Sequence, residues 1–329
     1  MVYIQLLDYT LYLFGVKTLE LLEEIIASTL RGATPLLLAA LGEVISQRAG
    51  VINIGIEGMM LMGAFFGLVT SFYTAELMIF APWIGLFVAG LSGLITAGLF
   101  VVFAIKLRGD QVVIGTAITL LALGLTEVLY QRIFGGTGTP HNIPYFEKIE
   151  LPLLSQIPFL GNTLFSHNII VFLTFLLVPC IYFYLYHTQQ GLRVRACGEH
   201  PKAISTVGSN VSLIRTMCIL FAGTMAGFGG GYLSLADVPI FTPNMTAGRG
   251  FIALAIVIFG KWHPVKACAA ALLFGLGFAL DARFQAFGWN VQYQWFLMLP
   301  FILCLVVMSG FVGRSEAPLA LGKPYDPSE

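Results

Sequence analysis

Residues 50–69, GVINIGIEGMMLMGAFFGLV, are apolar enough to enter a membrane, yet they carry Asn53 and Glu57 four residues apart. On a helix that spacing sets an amide and a carboxylate on one face. An ionisable group in hydrocarbon is costly and is found facing a bundle interior, a partner or a water path. Two roles are therefore open for the pair: lining a substrate pathway or gate, or locking the bundle through hydrogen bonds. A second stretch, FTPNMTAGRGFIALAIVIFGKWHP (241–264), includes Asn244 and sets Gly248 and Gly250 around Arg249, at a predicted outer membrane boundary. The apolar run that follows is short. It fits a re-entrant or broken helix, permitted where backbone lines a cavity, and equally a tilted short helix with Arg249 and Trp262 as interfacial anchors. The third stretch, GLRVRACGEHPKAISTVGSNVSLIR (191–215), joins basic Arg193 and Arg195 to a Gly-Glu-His-Pro turn and a short helix-forming run. Pro201 suits the first turn of that helix, and Gly208 with the following Ser-Asn can end it. On residue types alone this is either a docking element for a cytoplasmic partner or a solvated loop with positive charges.

The elements that must hold these groups are membrane spans. The 329 residues are 57% hydrophobic and 10% charged, with a mean hydropathy of +0.86, whereas soluble domains carry about 25% charged residues. Apolar runs recur along almost the whole chain, which predicts an all-α, polytopic transmembrane helical bundle. Spans are expected near 31–47, 51–72, 79–105, 111–134, 167–187, 212–236, 246–260, 264–284 and 292–311. The break at SQRAG (46–50) predicts a tight, Gly-hinged hairpin between the first two, and GAFFG (63–67) a close helix contact. With the N-terminus outside and the C-terminus cytoplasmic, eleven of the 17 Lys and Arg fall inside, among them Arg48, Lys202, Arg215 and Lys261. The divisions expected are an extracytoplasmic or interfacial segment (1–30), a transmembrane domain (31–311) and a cytoplasmic tail (312–329). Within the membrane domain, 135–166 is an outside loop and 188–211 an inside one.

Several chemistries are excluded. Lys and Arg balance Asp and Glu at 17 each, so charge points to no nucleic-acid partner. No P-loop, HExxH, voltage-sensor Arg series or TVGYG filter occurs. The five cysteines lack CxxC spacing and the five histidines are scattered, so neither a metal site nor a disulfide framework is expected. Catalytic residues and cofactors are expected to be none. The N-terminus, interrupted by Asp8, Lys17, Glu20, Glu23 and Glu24, does not read as a signal peptide.

The run GEVISQRAGVINIGIEGMMLMGAFFG resembles the signature of branched-type ABC importer permeases, in particular the nucleoside and simple-sugar subgroup. Pro35, Gly42 and Glu43 match its opening; Gly50, Val51, Asn53, Ile54, Gly55, Glu57, Gly58 and Met59 match its GVxNIGxEGxM run. A departure is Gln47-Arg48-Ala49-Gly50, where the family often has ERSG. RACGEHPKAISTVG resembles the family's loop that docks on the ATP-hydrolysing subunit. Asn244, Met245, Gly248, Arg249, Gly250, Phe251, Ala253, Leu254 and Gly260 match its late motif. The resemblance covers residues 31–311 and fits the shorter of the subgroup's two permeases. It implies a coupling helix from Pro201 to Gly208, positioned or charge-paired by Arg193, Arg195 and Glu199, with Gly198 and Lys202 also among the ATPase-coupling residues. It also implies Asn53, Glu57, Asn244 and Arg249 as substrate-pathway or gate residues. The implied partners are an ABC ATP-binding subunit, a second homologous permease in a heterodimer, an extracytoplasmic substrate-binding protein and the lipid bilayer of a bacterial inner membrane. Nucleosides are the implied substrate, with a ribose-like sugar as alternative. The rivals from other classes are a proton-coupled secondary transporter using Glu57 and a membrane scaffold that transports nothing.

Overall fold

The computed structural model describes residues 2–77, 79–135, 143–150, 160–286, 298, 302 and 316–325. The described residues are mostly helical. Helices α1 (Val2–Arg48), α2 (Ile56–Tyr73), α3 (Ala81–Phe100) and α4 (Gln111–Phe134) precede a two-residue antiparallel ladder, β1 (Ile149–Glu150) with β2 (Ser166–His167), whose strands flank the short α5 (Leu160–Leu164). Then come α6 (Ile169–His187), α7 (Gln189–Glu199), α8 (Pro201–Thr206), α9 (Val211–Tyr232), α10 (Arg249–Phe259) and α11 (Pro264–Ala286). Wider π-type turns prolong α3 to Lys106 and α9 to Asp237. Among the described residues seven helices are long and apolar enough to cross a membrane, and α10 is apolar but short. The ninth expected span (292–311) and Cys304 fall outside the described residues, apart from residues 298 and 302.

The packing centres on α9. In a membrane, helices gain little by hiding apolar surface from lipid, so close backbone approach through small residues decides which helices meet. Helix α9 carries Gly223, Gly227, Gly229, Gly230 and Gly231, all but Gly223 within GFGGGY. A methyl on Gly63 of α2 would lie 2.7 Å from the Cα of Gly227, and one on Gly93 of α3 would lie 2.9 Å from the same atom. On the α1 side, a methyl on Gly42 would lie 2.8 Å from Ala222 Cα, and one on Gly229 would lie 2.8 Å from the Pro35 carbonyl. Gly67, the other half of GAFFG, meets α3 instead, its would-be methyl 3.1 Å from Ala89 Cβ. The expected close contact at 63–67 is therefore present, divided between two neighbours.

This arrangement corrects three expectations. The first two spans do not form a hairpin: α9 lies between α1 and α2 and packs on both, because its glycines admit a closer approach than α1 and α2 offer each other. Gly50 does turn the chain, with φ +89°, a conformation that costs a residue without Cβ nothing. The first helix is also not confined to 31–47; it runs unbroken from Val2, and its membrane-length apolar part begins at Leu21. Third, the loop 188–211 is mostly helical. Thr188 starts α7 by accepting the Gly191 N–H at 3.0 Å.

The two ends of the bundle differ. One gathers Arg48, the 50–52 turn, α7, Arg215, Lys261 and residues 319–323. At the other, Arg283 pairs with Glu24, and Arg31, Lys148 and Ser166 share a polar recess of about 390 Å³ with them. Arg48, Arg215 and Lys261, grouped by the charge count, lie together at one end, and Arg31, Lys148 and Arg283 at the other.

Candidate functional site

Asn53 and Glu57 do not share a helix face. Residues 51–55 are non-helical, Gly55 caps α2, and Glu57 sits in its first turn. The spacing argument fails because Asn53 precedes the helix. The two side chains consequently serve different neighbours.

Glu57 is 3% exposed and its carboxylate is fully engaged. Oε1 accepts the Thr246 hydroxyl at 2.6 Å and the Gly248 N–H at 2.8 Å, and Oε2 accepts the Gly250 N–H at 2.6 Å. Residues 242–248 form tight turns with positive φ at Asn244, Ala247 and Gly248. Gly248, at φ +84°, is the cap of α10. Helix N-termini leave N–H groups without partners and attract negative charge. Here one carboxylate lies at two such termini, within the first turn of α2 and against the start of α10. Gly250 is needed for the fit, since a methyl there would lie 2.6 Å from the Cα of Glu57.

The turn therefore lies deep. Helix α10 has 11 residues, about 16 Å at 1.5 Å each, roughly half of a 30 Å hydrocarbon core. Its far end is fixed at the basic end of the bundle, where Arg48 Nε donates to the Trp262 carbonyl at 2.9 Å and Arg48 Nη2 to the Lys261 carbonyl at 3.4 Å. Arg249 is thus inside the bundle rather than at an outer boundary. Its guanidinium donates to the Met245 carbonyl at 2.8 Å and lies over the Phe278 ring. Trp262 is not an interfacial anchor either. It is buried, and its indole N–H donates to Gln47 at 2.8 Å. Of the two readings of 241–264, the tilted short helix loses both of its expected interfacial anchors. Asn244 is exposed at the tip of the turn.

Asn53 belongs to a second buried polar group nearer the basic end. Gln47 donates to Glu43 at 3.4 Å, and Asn53 lies beside the same carboxyl. Asn53 Nδ2 also reaches the Met59 sulfur at 3.3 Å, and Gln111 accepts the Ile52 N–H at 2.9 Å. These contacts hold the non-helical break between α1 and α2. Arg48 links it further by donating to the Tyr186 hydroxyl at 3.3 Å, while Arg195 of α7 stacks over the Tyr186 ring at 4.8 Å.

The expected short helix is present as α8, beginning at Pro201 and closed by Gly208 at φ +80°. Lys202, Ala203, Ser205, Thr206 and Val207 are exposed on it, and only Ile204 is buried. Arg193 is exposed, whereas Gly198 is buried so tightly that a methyl there would strike the Arg48 carbonyl. Glu199 accepts the Leu319 N–H at 3.3 Å. Residue-level reading missed Thr246, Gln111, Tyr186 and the tail. Thr246 and Gln111 are ordinary polar residues in sequence, and only the fold brings them to Glu57 and Ile52.

The family description "Branched-chain amino acid transport system / permease component" matches residues 25–308. The guanosine ABC transporter permease protein NupQ of Bacillus subtilis is 39% identical over 313 residues, 93% of this chain and 97% of the relative. The nucleoside ABC transporter permease protein NupC of Lactococcus lactis is 36% identical over 318 residues, 94% and 98% of the two chains. The putative glucose ABC transporter permease protein TsgC13 of Haloferax volcanii is 38% identical over 263 residues, 79% and 77%. No solved structure matches the chain. With its apolar helices and its end-to-end likeness to these permeases, the chain is a multi-pass inner-membrane protein and belongs to the branched-chain amino acid transport system permease family of ABC transporters.

Proposed function

We propose that this permease imports nucleosides as one half of a heterodimer, driven by ATP hydrolysis on a separate subunit and fed by an extracytoplasmic binding protein. The observation that carries the substrate is the near full-length likeness to permeases named for guanosine and for nucleosides. The absence of a P-loop in the sequence supports hydrolysis elsewhere. The likeness to a putative glucose permease supports a simple sugar as the second reading.

In this reading the basic end faces the cytoplasm and α8 is the coupling helix, carried by α7 with Arg193, Arg195, Gly198 and Glu199 and presenting Lys202 to the ATPase. Motion of α7 reaches Arg48 through Tyr186, and Arg48 holds the end of α10. The 242–248 turn then acts as the gate, with Asn244 and Arg249 nearest the path. Glu57 and Asn53 act on the gate from behind: Glu57 tethers the turn and Asn53 fixes the α1–α2 break. A nucleoside carries ribose hydroxyls and a flat base, which suit amide and guanidinium groups.

The test is uptake of labelled adenosine and ribose by cells expressing the complete transporter, with and without this chain. Chain-dependent adenosine uptake that excess ribose does not compete away supports the proposal; ribose uptake alone moves it to the sugar reading. Uptake that survives ATP depletion but collapses with the proton gradient refutes both.

A further inference from the structure

Residues 316–325 are a feature that the transport reading leaves unused. They do not trail away from the bundle. Ala320 N–H donates to the Gly198 carbonyl at 2.8 Å and Gly322 N–H to the Gly50 carbonyl at 3.1 Å. Leu319 N–H reaches Glu199 at 3.3 Å, and the Lys323 carbonyl accepts from Arg215 at 2.8 Å. Arg215 is 1% exposed, so it is a buried cation turned toward this segment. Four attachments, at the end of α7, at Gly50 and at Arg215, fix the backbone of a short stretch that has neither helix nor strand.

The fixed stretch forms a wall. Between it and α8 lies a cleft of about 500 Å³, lined by Glu199, His200, Pro201, Lys202 and Ala203 on one side and by Leu319, Ala320 and Lys323 on the other. Leu319 and Val207 are 61% and 74% exposed. Apolar side chains held out on a rigid, polar-rimmed surface are what a protein partner uses as anchors.

We infer that α8 and residues 316–323 together form one docking platform for the ATP-binding subunit, with a partner side chain or loop seated in the cleft between them. The inference rests on the reading of α8 as the coupling helix. The occupant follows from continuity: the cleft shares Pro201, Lys202 and Ala203 with α8, so whatever docks on the helix covers the tail. Its walls mix acidic and basic groups, which suits a protein surface better than an anionic lipid headgroup. Because the tail also grips Gly50 and Gly198, a push on the platform reaches the α1–α2 break directly as well as through α7.

The test is affinity purification of the whole co-expressed transporter, reading ATPase retained per permease, with permease unfolding temperature in parallel. Leu319→Asp and Val207→Asp are each expected to weaken retention about tenfold, an ordinary loss for an interface anchor, with the unfolding temperature unchanged. Retention lost in Val207→Asp but full in Leu319→Asp overturns the platform and leaves the coupling helix standing. Full retention in both overturns the coupling reading as well. If Leu319→Asp lowers the unfolding temperature, Leu319→Ser, which removes the anchor without adding charge, is read on the same scale; full retention there likewise overturns the platform.

Discussion

Replacing Glu57 by Gln separates a tether from a substrate contact. The carboxylate accepts three hydrogen bonds, from Thr246, Gly248 and Gly250. An amide whose oxygen takes the Oε1 position keeps the first two and turns its NH2 toward the Gly250 N–H. That buried donor is then unpaired, which costs about 1–3 kcal/mol. Loss of negative charge at the start of α10 removes roughly 1 kcal/mol more. Glu57→Ala strands all three donors, at about 1–3 kcal/mol each, and is expected to be the most destabilising change. Thr246→Val removes only one partner and should cost about 1–2 kcal/mol. The expected order of destabilisation is therefore Ala, then Gln, then the Thr246 change, measured as unfolding temperature of the purified complex in detergent. Each variant's uptake rate, scaled to the folded amount, is measured alongside. Thr246→Val should lose less in a Glu57→Ala background than alone, because the two groups share one bond. Transport abolished by Glu57→Gln at an unchanged unfolding temperature, with Thr246→Val silent, would refute the tether.

Gly250→Ala should mimic loss of Glu57, since its methyl meets the α2 backbone at Glu57; lower unfolding temperature and lower uptake together are expected. Gly198→Ala should push α7 off the Arg48 carbonyl and reduce substrate-stimulated ATPase activity while leaving membrane insertion intact, checked by turnover of the reconstituted complex. The double change Glu199→Ala with Pro201→Ala should uncouple ATP hydrolysis from uptake; normal coupling in that variant would remove the loop from the mechanism. His263 lies at the turn before α11, and burial, then Lys266 and Arg48, hold its imidazole below the ordinary value. The unfolded chain therefore binds a proton first as pH falls. Stability is expected to decline from about pH 6.5 down to the lowered value and to be level below it. His263→Asn should flatten that slope in unfolding scans.

The membrane class, the positions of most spans and the short helix after Pro201 were legible because hydropathy and proline chemistry act locally. The α10 break was legible only as one of two readings, since the nine apolar residues 251–259 fit either. The contacts that chose between them, Glu57 to Gly248 and Gly250, join residues about 190 positions apart. Pairing of α1 with α2 was misread for the same reason. Adjacency in sequence suggests a hairpin, whereas the close approach depends on glycines far away in α9. Asn53 was placed on a helix because periodicity treats every residue as helical, while Gly50 and Gly55 shift the start of α2 beyond it. The tail offered no pattern at all, being held mainly by backbone groups that every residue possesses.

The meeting of α9 with α2 and α3 has an evolutionary corollary. Gly227 faces Gly63, and Gly93 faces both Gly223 and Gly227, so at these pairs glycine meets glycine, while Gly223 also meets Ala97. Most buried contacts can drift, because one partner shrinks as the other grows and total volume is kept. These seams have no residue left to shrink. A methyl on Gly63 or Gly93 would strike only α9 backbone, which no second side-chain change can remove. Such positions are closed to compensated substitution, so lineages that diverge in substrate must do so elsewhere, around the 242–248 turn and the outer loops rather than along the central helix.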